Sequence, residues 1–146
     1  MDMRYLFLIS HGDFAPGLQS AVEMMVGEKE DLKSASLRNG ESTVDFGEKF
    51  NKLLDQLQDD DELILMCDIL GGSPLTTALA CLSDYNKIDK TLVITGMNMP
   101  LAITAMTMKD NIDDMEALKD MLLFEGKESI SEFKISTEVV DDDDEI

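Results

Sequence analysis

His11 is the only histidine among 146 residues, and it stands where a hydrophobic run stops. Tyr5-Leu6-Phe7-Leu8-Ile9 leads into Ser10-His11-Gly12. A second segment has the same form: Leu63-Ile64-Leu65-Met66-Cys67 runs into Asp68 and on to Gly71-Gly72-Ser73-Pro74. Attack on phosphorus by an imidazole needs a neutral ring with one unprotonated nitrogen facing the donor. A carboxylate on the other nitrogen fixes that tautomer and stabilises the ring as it gains positive charge. Asp68, at the end of its run, suits this role. The transferred group spreads negative charge over its oxygens, and free backbone N–H groups at a helix N-terminus hold such charge. Gly71, Gly72 and Ser73 supply those groups, the glycines let the backbone come close, and the Ser73 hydroxyl adds a donor. His11 and Asp68 are therefore the candidate catalytic pair, with Gly71, Gly72 and Ser73 as the candidate phosphoryl cradle.

Taken singly, each motif is weak. A lone histidine after a strand is more often structural, and Gly-Gly-Ser-Pro can be a turn with a helix cap. Their joint placement carries the argument. In an open α/β sheet, ligands and chemistry gather at the carboxyl ends of the strands. If the two runs are neighbouring strands, the imidazole and the carboxylate meet at one edge of one sheet.

The elements that must position them alternate along the chain. A strand over 4–10 precedes a helix from about Pro16 to Val26, whose Leu18, Ala21, Val22 and Met25 share one helical face. Gly27 stops that helix. A weaker strand follows over Leu32 to Leu37. Asn39-Gly40 is a turn, and Ser42 with Asp45 forms a helix-opening box. That helix buries Phe46, Phe50, Leu53, Leu54 and Leu57. The acidic run Asp59-Asp60-Asp61-Glu62 reads as a solvated turn, because it lacks the ligand spacing of a calcium loop. After the strand at 63–67, Ser73 suits an N-cap and Pro74 the first helical position, with Leu75, Ala78, Leu79 and Leu82 facing the core. Thr91 to Thr95 is another strand, ending in Gly96-Met97-Asn98-Met99-Pro100. Helices follow at about 101–108 and 114–125, and Gly126 ends the second. Phe133, Ile135, Thr137 and Val139 alternate with polar neighbours, as in a half-exposed strand. The fold class is thus α/β: a doubly wound sheet of about four parallel strands flanked by helices, with a C-terminal edge strand expected to be antiparallel.

Composition narrows the function classes. A single domain over 1–140 is expected, followed by an acidic, disordered tail over 141–146. The formal charge of −19, with only 5% aromatic residues and no Trp, argues against nucleic-acid and anionic-membrane partners and for basic protein partners. Cys67 and Cys81 read as reduced core residues rather than a disulfide or metal pair. The eleven methionines read as packing and adaptable contact surface, with no Cys or His interleaved to make a metal site. No P-loop lysine and no G-x-G-x-x-G pattern occurs, so a nucleotide is not the evident donor, and no cofactor is expected. No apolar stretch approaches the length of a membrane span, and the N-terminal run is too short for a signal peptide. A cytoplasmic protein is expected.

The chain resembles the mannose-family enzyme IIA of the bacterial phosphoenolpyruvate-dependent sugar phosphotransferase system. Ser10-His11-Gly12-Asp13-Phe14-Ala15-Pro16-Gly17-Leu18 is similar to the family's phosphorylation-site segment. Asp68-Ile69-Leu70-Gly71-Gly72-Ser73-Pro74 is similar to its D-x-x-G-G-S-P segment, and Gly96-Met97-Asn98-Met99-Pro100 to its G-x-N-x-P loop. The likeness covers residues 4–125. It implies that His11 accepts phosphate from the phosphocarrier protein HPr, that Asp68 orients it, and that Ser73 with the adjoining amides holds the group. It implies onward transfer to an enzyme IIB and then to sugar at the membrane permease. It also implies a homodimer in which a C-terminal strand, matched here by 133–139, crosses to the partner's sheet. Asp141 to Ile146 stands where some relatives have an Ala/Pro-rich linker to a IIB domain, so a separate IIB is expected.

Other readings stay open. A related carrier feeds dihydroxyacetone kinase with the same fold and histidine chemistry; Gly12 and the complete Asp68–Pro74 segment favour the sugar system. A regulatory phosphohistidine protein controlling a transcription regulator is a second reading. A small-molecule binding module without chemistry is a third, and it expects His11 never to be phosphorylated.

Overall fold

The computed structural model describes residues 2–136. Four strands, β1 (Arg4–His11), β2 (Leu32–Leu37), β3 (Glu62–Cys67) and β4 (Thr91–Thr95), form one sheet in the order β2-β1-β3-β4. Every pairing is parallel. The helices are α1 (Phe14–Val26), α2 (Thr43–Leu54), α3 (Ser73–Asp84), α4 (Met99–Met108) and α5 (Met115–Glu128), with a short 3₁₀ turn at Ile88–Lys90.

The near-continuous apolar runs of β1 and β3 are explained by burial on both faces, the usual condition of parallel strands. Leu6, Leu8, Ile64 and Met66 face one layer, packed under Val22 of α1, Ala102 of α4 and Leu118 of α5. Tyr5, Phe7, Ile9, Leu63, Leu65 and Cys67 face the other, under Phe46 and Phe50 of α2 and Ala78 of α3. Phe7 meets Phe50 edge-on at 6.2 Å, and Phe50 stacks on Phe46. Truncating a fully buried ring such as Phe7 to Ala costs about 3–5 kcal/mol. With helices on both faces, the sheet is doubly wound, as the alternation predicts.

The strand order reverses between β1 and β3. The chain leaves β1 toward β2 on one side and later returns to place β3 on the other. A crevice forms at the carboxyl ends of strands at such a point, and this is where α/β sheets bind ligands. Ile9 pairs with Cys67 in the register, so His11 and Asp68 leave the sheet at the same edge.

Several local expectations need correction. α1 starts at Phe14, earlier than Pro16, because the buried Ser10 hydroxyl accepts the Ala15 N–H at 2.7 Å. Gly126 does not end α5. It is buried inside the helix, where a Cβ would lie 3.2 Å from Leu101 Cδ1, so its smallness lets α5 sit against α4. Leu79 is exposed, and Cys81 fills the buried position on α3 instead. The acidic turn is built rather than merely solvated. Buried Asp61 accepts the Met3 and Gln58 amides, and Lys87 Nζ donates to the carbonyls of Gln58, Asp59 and Asp61. The Ser42–Asp45 capping box forms as expected.

Residues 131–136 adopt no strand within the single chain, and Phe133 and Ile135 are exposed. The remainder of the expected edge strand, the boundary at 140 and the acidic tail lie outside the described residues. Among the described residues no helix is long and apolar enough to cross a membrane.

Candidate active site

His11 is the last residue of β1 and the first of that strand to emerge from the core. Its ring Nδ1 lies 2.8 Å from Asp68 Oδ2, and the same oxygen accepts the His11 backbone amide at 2.9 Å. The other carboxylate oxygen accepts the Ile69 amide at 2.9 Å. Asp68 is thereby fixed by three donors. Burial pushes the Asp68 carboxyl up, but the His11 amide, the His11 ring and the Ile69 amide outweigh it and hold the group below its ordinary value. An ionised carboxylate only accepts, so Nδ1 carries a proton, and in the neutral ring the lone pair is then on Nε2.

Nε2 has no hydrogen-bond partner among the described residues. The His11 side chain is 46% exposed while Asp68 is only 12% exposed, so the imidazole is open to solvent and the carboxylate is sheltered. The Nε2 edge faces the start of α3. A Cβ on Gly72 would lie 2.9 Å from His11 Cε1 and 3.2 Å from Nε2, and Gly72 has a φ of +89°. Only glycine meets both conditions. This close approach is what brings the amide-rich turn beside the imidazole.

Gly72, not Ser73, is the N-cap of α3; Ser73 is the first helical residue and Pro74 follows it. Gly72, with its φ of +89°, ends the loop, and the helix opens one residue earlier than a serine cap would have it. The consequence suits the site. The Ser73 hydroxyl carries no hydrogen bond among the described residues, and Gly71, Gly72 and Ser73 are all exposed at a helix N-terminus. Free N–H groups and the positive end of the helix dipole favour an anion there. His11, Asp68 and Gly72 are thus in direct proximity, and Gly71 and Ser73 flank Gly72 in the same turn.

Two supports escaped the sequence reading. Ser10 anchors the loop after His11 through Ala15, and the only signal was a polar residue at the end of an apolar strand. Asn98 caps α4 by accepting the Leu101 amide at 2.9 Å, while Met97 N–H donates to Cys67 O at 3.0 Å. The third motif therefore braces the loop that carries Asp68. Cys67, next to Asp68, has its thiol pushed up to about 11 by burial first and by the Asp68 charge second, and so is inert as a nucleophile. Among the described residues no cluster of His, Cys, Asp and Glu is placed to hold a metal ion.

This constellation can hold an anionic group against an oriented, solvent-facing imidazole. A family model described as the PTS system fructose IIA component matches residues 5–123. The fructose-specific EIIA component of the phosphotransferase system (PTS) from Bacillus subtilis (strain 168) is 26% identical over 117 residues, covering 80% of this chain and 75% of that protein. The mannose-specific EIIAB component of Escherichia coli (strain K12) is also 26% identical, over 86% of this chain, which spans only 38% of that longer protein. Among solved structures, the PTS IIA protein associated with the fucose utilization operon of Streptococcus pneumoniae superposes with a TM-score of 0.75. It is 30% identical, over 90% of this chain and 93% of that one. The match runs across both strands that carry the site, and the chain belongs to the fructose/mannose IIA family of the sugar phosphotransferase system, whose members are phosphotransferases.

Proposed function

We propose that this protein is a cytoplasmic phosphoryl carrier that takes phosphate from phospho-HPr onto His11 Nε2 and passes it to an enzyme IIB for sugar uptake at the membrane permease. The observation that carries the reading is the Asp68 carboxylate on Nδ1 at 2.8 Å, which leaves Nε2 as the nucleophile.

The Nε2 lone pair forms the new N–P bond as the N–P bond of the donor's phosphohistidine breaks. The electron pair of that bond stays on the donor imidazole. The His11 ring becomes cationic, and Asp68 stabilises it. The phosphoryl oxygens meet the Gly71, Gly72 and Ser73 amides and the Ser73 hydroxyl. The acceptor's nucleophile reverses the step. Such a site handles a phosphoryl group and protein surfaces, never the sugar.

A homodimer is part of the proposal. Among the described residues β4 is an edge strand, and beside it Ile94, Leu101, Leu122, Leu123 and Ile130 line an apolar groove of about 140 Å³. Unpaired edge N–H and C=O groups need partners. The exposed Phe133 and Ile135 of a second copy supply an alternating segment to cover both.

The test is sequential labelling. Label from phosphoenolpyruvate, through enzyme I and HPr, is expected to appear on this chain and to leave it when an enzyme IIB is added. Label that no IIB discharges contradicts the carrier role and favours a regulatory phosphohistidine.

A further inference from the structure

Asp13 occupies the N-cap position of α1, where an aspartate ordinarily accepts an amide of the first turn, yet its side chain makes no such bond. Ser10 takes the Ala15 amide in its place. The Asp13 carboxylate turns instead to Arg38, with Oδ1 3.4 Å from the guanidinium Nε. The two side chains are 77% and 60% exposed, so water and salt weaken the pair and Arg38 is loosely held.

Arg38 is nevertheless well placed. The β1–β2 register pairs His11 with Leu37, and the Gly12 amide donates to the Leu37 carbonyl at 2.9 Å. Arg38 is the next residue. Strands lie roughly 4.8 Å apart and successive Cα atoms about 3.8 Å, so its Cα is within about 9 Å of that of His11. Four of the other cations are held elsewhere. Lys49 is engaged by the Ser36 carbonyl and Glu41. Arg4, Lys87 and Lys109 are held at the opposite end of the sheet.

A phosphoryl group on Nε2 brings on the order of two negative charges close to Asp68 and Asp13, in a chain that already carries −19. Asp68 must stay, because it holds the ring. The α3 amides are dipoles without net charge. Building on the phosphorylation of His11 proposed above, we propose that Arg38 is a second phosphoryl-holding group, parked on Asp13 while the site is empty and transferred to the phosphoryl oxygens when His11 is charged. Guanidinium meets phosphate in forked, charge-assisted hydrogen bonds, which are stronger than its exposed pair with Asp13. Asp13 and Arg38 then have opposite effects: Arg38 favours the charged state, and Asp13 competes for Arg38.

The test is the equilibrium fraction of phosphorylated protein against a fixed ratio of phospho-HPr to HPr. At equilibrium this fraction does not depend on docking rates. Arg38→Ala is expected to lower the phosphorylation equilibrium constant about tenfold, Arg38→Lys to restore part of it, and Asp13→Asn to raise it a few-fold. Most of the Asp13→Asn gain should vanish in the Arg38→Ala background. The phosphohistidine ³¹P resonance should shift in Arg38→Ala. Normal charging of Arg38→Ala, or a full Asp13→Asn gain in its absence, overturns the inference while leaving His11 as the acceptor. A wild-type protein that takes no phosphoryl group overturns the underlying site instead.

Discussion

One oxygen of Asp68 accepts both the backbone amide and the ring Nδ1–H of His11, at 2.9 and 2.8 Å. The same carboxylate therefore positions the residue along the chain and sets its tautomer. Replacing it with asparagine keeps the shape and removes the charge. Asp68→Asn is expected to fold and to lose phosphotransfer by on the order of 10²-fold or more, as measured by rapid-quench labelling with phospho-HPr. A wild-type rate in that variant would make Asp68 a loop residue only.

The pH dependence of stability follows from the same bonds. The Asp68 carboxyl is held below its ordinary value, so the folded state favours its ionised form. That contribution is complete above the unfolded carboxylate pKa of about 4 and is lost as pH falls through the lower folded value. Urea midpoints of wild type and Asp68→Asn should converge as pH falls from about 4 through the lower folded value. A gap that persists unchanged below that range contradicts the assignment.

Gly72 tests the approach of α3 to the imidazole. A methyl group there would sit 2.9 Å from His11 Cε1, on a backbone with φ of +89°. Gly72→Ala is expected to displace the ring, lower charging of His11 by about tenfold or more, and destabilise the fold by about 1 kcal/mol or more. Equilibrium unfolding and labelling of one preparation read both effects. Unchanged charging would mean that the turn does not pack on the ring in solution.

Ser10 tests the loop that follows His11. Its buried hydroxyl accepts the Ala15 amide at 2.7 Å, and Ser10→Ala would leave that buried N–H without a partner. A loss of about 1–3 kcal/mol in urea unfolding is expected. A change within a few tenths of a kcal/mol would show that water or a shifted loop replaces the bond.

The sheet and the meeting of His11 with Asp68 were legible in the sequence because each rests on a strong local signal. The apolar runs of β1 and β3 are too long and too uniform for an exposed strand, and the only histidine and Asp68 stand at their ends. Parallel pairing of β1 with β3 then needs only the alternation of strands and helices. Details that depend on tertiary contact were hidden. Gly126 looks like a helix stop until Leu101 is seen against it. Ser73 looks like an N-cap until Gly72 takes the positive φ. The acidic turn looks solvated until Lys87, 26 residues on from Asp61, is found beneath it. Arg38 had no signal at all, since its relation to His11 exists only through the β1–β2 register.

Assembly is tested by truncation. Deleting 131–146 is expected to give monomers or insoluble protein, because the β4 edge and its apolar groove lose their cover. Deleting 141–146 alone should leave the dimer intact. Light scattering on the two truncations decides. A soluble, well-folded dimer lacking 131–140 would defeat the exchanged-strand proposal.

The central claim is that His11 carries the phosphoryl group. Intact-mass analysis after incubation with phosphoenolpyruvate, enzyme I and HPr tests it most directly, on wild type and His11→Ala together. The expected result is one acid-labile, base-stable phosphoryl group per wild-type chain and none on the variant. Label that persists on His11→Ala, or a wild-type chain that never gains mass, contradicts the account.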